Sequence, residues 1–161
     1  MNNNEKLPSR RSIRLKDYDY SQNNAYFVTI CTKDRLPSID SDIIRGIIQK
    51  TWENLPSHYL TVILDEFVIM ANHVHGIIII QTESVGADLR SARSLSEIVR
   101  AFKSFSTREI NQHIVMFGQS FWQRNYYDHV IRDERDLHKI RKYIRGNPLN
   151  WEIDEENPVN F

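Results

Sequence analysis

The sequence predicts an α+β domain, an antiparallel sheet with helices packed on one face. Three observations carry this expectation. Ala25–Thr32, Leu60–Met70 and the run from Asn72-His73-Val74-His75-Gly76 through Ile77–Ile80 are rich in β-branched and aromatic residues, as strands are. Segments with apolar residues at helical spacing lie between and after them, most with a start signal. The resulting order, β-α-β-β-α-β-α, is that of a ferredoxin-like sandwich. With 161 residues, 40% hydrophobic and 26% charged, the chain has the size and composition of one globular domain with a real core.

Taken in order, residues 1–24 are polar and carry the basic cluster Arg10, Arg11, Arg14 and Lys16, an expected arm with little regular structure. The first strand, Ala25–Thr32, is broken by Lys33-Asp34-Arg35-Leu36-Pro37. Asp40 or Ser41 caps a helix running to about Asn54, with Ile43, Ile44, Ile47, Ile48 and Trp52 on its apolar side, and Pro56 ends that element. Leu60–Met70 turns through Ala71-Asn72 into the His-x-His strand as an antiparallel hairpin. Asp65 and Glu66 on that hairpin either approach the histidines or face solvent. Gln81–Arg93 has no apolar pattern and is expected to be a loop.

Ser94-x-x-Glu97 is a capping box, opening a helix of about fifteen residues. Leu95, Ile98, Val99, Phe102, Phe105 and Ile110 form its core side, while Arg100, Lys103 and Arg108 lie elsewhere on it, as a solvated face or a phosphate-contacting one. Phe121–Arg132 is a last strand or extended segment. Asp133 starts a helix through roughly Arg145, with Leu137, Ile140 and Ile144 inward and Gly146-Asn147-Pro148 closing it. The expected division is an arm at 1–24, a domain at 25–150 and an acidic tail at 151–161.

Charge and cysteine usage narrow the function. Lys+Arg and Asp+Glu are both 21, so no whole-protein field draws the chain to nucleic acid and any such binding depends on local patches. The single Cys31 excludes an internal disulfide and a Cys-based zinc site, which fits a reducing cytoplasm. The first residues lack the apolar stretch of a signal peptide, and Ile77–Ile80 is far too short to span a membrane, so a cytoplasmic location is expected.

His73 and His75, at i and i+2 of a strand, point to the same face, a geometry suited to one divalent metal ion. The alternative is two packed or solvated histidines. Near the chain's end, Tyr143 and Asn147 share a helical face. A phenol is a poor nucleophile at neutral pH unless its target is strongly polarised, which a histidine-held metal does. The alternative is that Tyr143 packs on the sheet and Asn147 only caps the helix.

Motifs along nearly the whole chain, from Arg10 to about Pro148, sharpen this. They are Arg11-Ser12-Ile13-Arg14-Leu15 with Tyr18-Asp19-Tyr20, Tyr26–Thr32, Asn72–Gly76, Val99–Ser104, Trp122–His129 and Tyr143-Ile144-Arg145-Gly146-Asn147-Pro148. In this set the chain resembles the single-tyrosine HUH transposases, and more closely the REP-associated tyrosine transposases of bacteria. The resemblance implies an HUH nuclease fold and a metal-dependent single-stranded DNA endonuclease and strand transferase. Tyr143 would be the nucleophile, forming a 5′-phosphotyrosine, and His73, His75 and Asn147 would be the ligands of Mg²⁺ or Mn²⁺.

The implied partner is single-stranded DNA with hairpin repeats, bound by a monomer or homodimer. Arg10, Arg11, Arg14, Lys16, Arg100, Lys103, Arg108 and Arg124 are the candidate DNA contacts. Tyr126 and Tyr127, beside Trp122, Arg124 and His129, are rival nucleophiles or base-stacking residues. Two other functions compete. A replication-initiator or relaxase-like nickase is disfavoured by chain length, and a non-catalytic DNA-hairpin-binding protein would lack covalent chemistry.

Overall fold

In the computed structural model, residues 19–81, 93–114 and 118–149 are described. Four strands, β1 (Asn24–Cys31), β2 (Val62–Ile69), β3 (His73–Ile80) and β4 (Tyr127–Ile131), form one antiparallel sheet in the order β2-β3-β1-β4. The helices are α1 (Asp42–Glu53), the single turn α2 (Leu55–His58), α3 (Leu95–His113) and α4 (Glu134–Gly146). The expected order of elements is therefore present. The arm through residue 18, the 82–92 part of the loop and the acidic tail lie outside the described residues.

Both faces of the sheet are covered, which corrects the expectation of helices on one face. The period-2 alternation of β1 and β3 divides the core. Tyr26, Val28, Ile30, Val74, Ile78 and Ile80 pack with Ile44, Ile48 and Trp52 of α1 and with Leu95, Ile98 and Phe102 of α3. Phe27, Ile77 and Ile131 point the other way and receive Ile144 of α4, flanked by Leu137 and Ile140. A strand buried on both faces reads as a continuous apolar run, and this is why Ile77–Ile80 shows no alternation.

Local chemistry sets the helix ends. Ser41 Oγ accepts from Ile44 N–H at 3.3 Å and caps α1. The Ser94–Glu97 capping box is formed in both directions, with Ser94 N–H donating to Glu97 Oε2 at 3.0 Å. Asp133 accepts from Asp136 N–H at 2.8 Å and opens α4. Three expectations shift. Pro56 sits in the first turn of α2, where a missing N–H costs nothing, rather than ending the helical region. Ile43 is 59% exposed because it falls about 100° around the helix from Ile44. Gly146 stays inside α4 and Asn147, in right-handed helical geometry, is the C-cap.

Phe121–Tyr126 runs extended ahead of the short β4, touching the sheet through a single Thr32–Trp122 bridge. Trp122 explains its course, since its indole N–H donates to the buried Ser106 Oγ of α3 at 2.9 Å. Tyr20, within the expected arm, also packs against the core, and its carbonyl accepts from Leu95 N–H at 3.2 Å.

Between Leu64 and Phe67 the β2–β3 register shifts: three steps along β2 match two along β3, from Ile78 to Gly76. Asp65 and Glu66 therefore both oppose Ile77, on the α4 side of the sheet. On the other side, Gly76 makes room for α1. A Cβ at that position would lie 2.4 Å from Trp52 Cζ2 and 2.5 Å from Cη2, the wide ring system stacked on Phe67 at 4.4 Å. Gly76→Ala should lower stability by about 1–3 kcal/mol through overpacking, seen as a reduced urea midpoint at unchanged m. A wild-type midpoint would contradict this packing.

Candidate active site

β3 opens on the histidines. His73 and His75 are 0% and 2% exposed, and their Nε2 atoms face one another at 2.9 Å. Each Nδ1 has its own partner. Asn72 Nδ2 donates to Arg35 O at 3.1 Å, a carbonyl that can only accept, so Asn72 Oδ1 is turned to His73 Nδ1 at 2.8 Å. His73 Nδ1 is therefore protonated and its Nε2 carries a lone pair. His75 Nδ1 lies 2.8 Å from Thr29 Oγ1, a hydroxyl able to donate or accept.

Two arrangements satisfy these contacts. In one, His75 Nε2–H donates to His73 while Thr29 donates to His75 Nδ1. In the other, His75 Nδ1–H donates to Thr29 and both Nε2 lone pairs converge, an arrangement that repels itself unless a cation lies between them. Burial, and secondarily the neighbouring His73, pushes the His75 pKa down to about 3, so the ring is neutral and ligand-competent at pH 7.

α4 lays Tyr143 over this pair. The hydroxyl is 3.4 Å from His75 Nε2, and the ring meets His75 and Phe27 edge-on at centroid distances of 5.3 and 6.0 Å. Phe27 is also stacked on His75 at 5.3 Å, so one β1 ring supports both. Tyr143 is 49% exposed, so its side chain is reachable from solvent. Asn147, one turn further along α4, is 2% exposed; its backbone N–H donates to Ile144 O, and its Oδ1 is shielded from solvent with no hydrogen-bond partner.

Among the described residues no group of three or more His, Cys, Asp or Glu is placed to hold a metal ion. Two imidazoles whose Nε2 atoms converge, with oxygens of an amide, water or substrate in the remaining positions, would suit a divalent cation with exchangeable sites. Asp65 and Glu66 do not serve it, because their carboxylates pair with Arg141 and Arg145 of α4.

The other predicted residues separate. Arg100, Lys103, Arg108 and Arg124 all line one groove of about 600 Å³ between α3 and residues 118–124, on the side of the sheet away from α4. Within it the Lys103 ammonium donates to Gln123 O, Arg124 O and Asn125 O at 2.6, 3.1 and 3.2 Å. The groove and the histidines share one end of the sheet. Gln123 N–H donates to Cys31 O, and Cys31 stands opposite His73. Arg10, Arg11, Arg14 and Lys16 lie outside the described residues.

Of the rival tyrosines, Tyr126 packs against the main core with Lys103 Nζ 5.8 Å from its ring centre. Tyr127, opposite Thr29, meets Phe27 edge-on at 6.3 Å. Thr29 and Phe27 lie in the Tyr26–Thr32 motif, but the motif gives them no site role; the β1–β3 register brings them to the histidines.

Residues 20–147 match the family described as transposase IS200 like. The chain belongs to this family of transposases. It is 36% identical over 173 aligned residues to an uncharacterized Haemophilus influenzae protein, covering 94% of this chain and 95% of that one. A second H. influenzae protein, provisionally named a REP-associated tyrosine transposase, is 27% identical over 135 residues, covering 81% and 73%. Among solved structures, a REP-associated tyrosine transposase bound to a REP hairpin superposes with a TM-score of 0.58 at 18% identity, covering 85% of this chain and 73% of that one. A provisionally named transposase from Deinococcus radiodurans superposes at 0.53 and 18% identity, covering 82% and 96%. These neighbours share the fold. No helix among the described residues of this transposase is long and apolar enough to cross a membrane.

The buried histidine has a pH signature. His75 binds its proton less readily when folded than when unfolded, so its contribution to stability is complete above the ordinary value of 6.5 and falls as pH drops toward about 3. In chelator-treated protein, ¹⁵N NMR should show the His75 ring neutral at pH 5. Titration near 6.5 would contradict the buried, uncharged pair.

Proposed function

We propose that this chain is a metal-dependent single-stranded DNA endonuclease and strand transferase, cleaving hairpin-containing DNA through a 5′-phosphotyrosine intermediate. One observation carries the reading: the Tyr143 hydroxyl lies 3.4 Å from His75 Nε2, itself 2.9 Å from His73 Nε2. A nucleophile and a cation-binding pair meet at one point. Family membership supports the transposase role, and the fold neighbour bound to a REP hairpin supports hairpin DNA as the partner.

His73 and His75, through Nε2, and Asn147, through its side-chain oxygen, would hold Mg²⁺ or Mn²⁺. A cation bound there polarises a phosphodiester and offsets charge developing on its oxygens. Tyr143 Oη attacks the phosphorus; the new O–P bond forms as the bond to the 3′ oxygen breaks. The Oη proton passes to solvent water, and the departing oxygen takes one up from solvent as a 3′-hydroxyl. The 5′-phosphate stays on Tyr143, so attack by a later 3′-hydroxyl reverses the step without a nucleotide cofactor. Thr29 and Asn72 hold the imidazoles in register, and Phe27 limits the swing of the tyrosine ring.

Arg10, Arg11, Arg14 and Lys16, with Arg100, Arg108 and Arg124, would take phosphates and set the DNA's position without reading its sequence. Since Tyr143 reaches the histidines of its own chain, a monomer contains a whole site; a homodimer would contain two.

The test is denaturing-gel detection of a covalent adduct with labelled single-stranded hairpin oligonucleotides and Mn²⁺ or Mg²⁺. Tyr143→Phe and His73→Ala should each abolish the adduct, while Tyr127→Phe keeps it. Loss with Tyr127→Phe alone would move the nucleophile, and hairpin binding without any adduct would favour a non-catalytic binder. Asn72→Ala should weaken Mn²⁺ binding by about 10–100-fold in titration calorimetry, because His73 loses the group that fixes its tautomer. Unchanged affinity would remove Asn72 from the site.

A further inference from the structure

We propose that the β2 bulge aims the nucleophile: Asp65 and Glu66 are positioning residues that set the rotation of α4 and thereby hold Tyr143 over His75. This rests on Tyr143 being the reacting group. Of the thirteen residues of α4 only Ile144 is buried, with Leu137 and Ile140 packed beside it. Such a narrow apolar strip permits the helix to roll. Polar side-chain pairs at both edges of the sheet oppose this. Near the start of α4, Asp136 Oδ2 is 2.9 Å from His129 Nε2 on the edge strand β4. Near its end, Arg141 Nε and Nη2 lie 3.0 and 2.5 Å from Asp65 Oδ2, and Arg145 Nε lies 2.9 Å from Glu66 Oε1 on the opposite edge strand β2.

Helical geometry makes this arrangement directional. Arg141 and Arg145 stand one turn apart on one flank of the apolar strip, and Tyr143, about 200° around from Arg141, stands on the other. Holding the arginine flank down therefore fixes the tyrosine flank. In a regular strand, neighbouring residues point to opposite faces and only one carboxylate would meet α4. The extra residue between Leu64 and Phe67 turns both toward it. Partly exposed pairs contribute little to global stability, so their effect falls on geometry. A displacement of the nucleophile by about 1 Å slows reaction by up to about 100-fold.

The experiment uses the full chain with Asp65→Asn and Glu66→Gln combined, and Asp65→Glu as the charge-preserving control. For the combined variant, the rate of adduct formation at saturating hairpin DNA should fall by about 10–100-fold, with DNA affinity within about twofold of wild type. Asp65→Glu should retain most of the rate. Hydrogen exchange on the DNA-free protein should show lost protection confined to α4. A wild-type rate together with unchanged α4 exchange overturns the proposal, as does a loss of protection spread over the whole sheet. If wild type forms no adduct, the reading of Tyr143 as nucleophile fails, and unchanged exchange in α4 then overturns the pinning as well.

Discussion

Pairing of β1 with β3 sets Thr29 opposite His75 and Cys31 opposite His73, and every later feature of the site depends on that alignment. Side chains alternate between faces, so a slip of one residue would turn both histidines into the core of α1 and α3 and bring Val74 and Gly76 to the α4 side. The apolar residues prevent it. Tyr26, Val28 and Ile30 on one face and Phe27 on the other all lose their places if the register moves. Hydrophobic burial, which has no direction of its own, thus fixes the direction of two polar rings.

Placing two imidazoles in so dry a position carries a desolvation penalty, and the structure offsets it with specific partners. Asn72 and Thr29 satisfy the Nδ1 atoms, while the Nε2 atoms turn toward each other. Asn72 gives the same contact a second role, since its amide holds Arg35 O in a turn where Asp34 and Arg35 both have positive φ. The turn after β1 and the tautomer of His73 are consequently set by one side chain.

Much of this was legible in the sequence, because it rests on short-range rules. Capping residues at Ser94 and Asp133 and the strand run after His75 announced their elements directly. The His-x-His spacing announced its shared face. What escaped depends on pairing across the chain. Thr29 becomes a site residue only through its partner strand, Asp65 and Glu66 face α4 only because a bulge interrupts alternation, and the three carbonyl partners of Lys103 come from a segment with no regular structure. The placement of α4 on the second face was similarly hidden, since its single apolar strip does not say which side of the sheet will receive it.

Trp52 and Gly76 have a consequence for how such a chain can change. The indole occupies the volume a β-carbon would take, so the two positions share one steric allowance. A larger residue at 76 becomes acceptable only with a smaller one at 52, and a smaller residue at 52 alone leaves a void behind the histidine strand. Substitutions at these two positions are therefore coupled: the effect of changing one depends on which residue occupies the other.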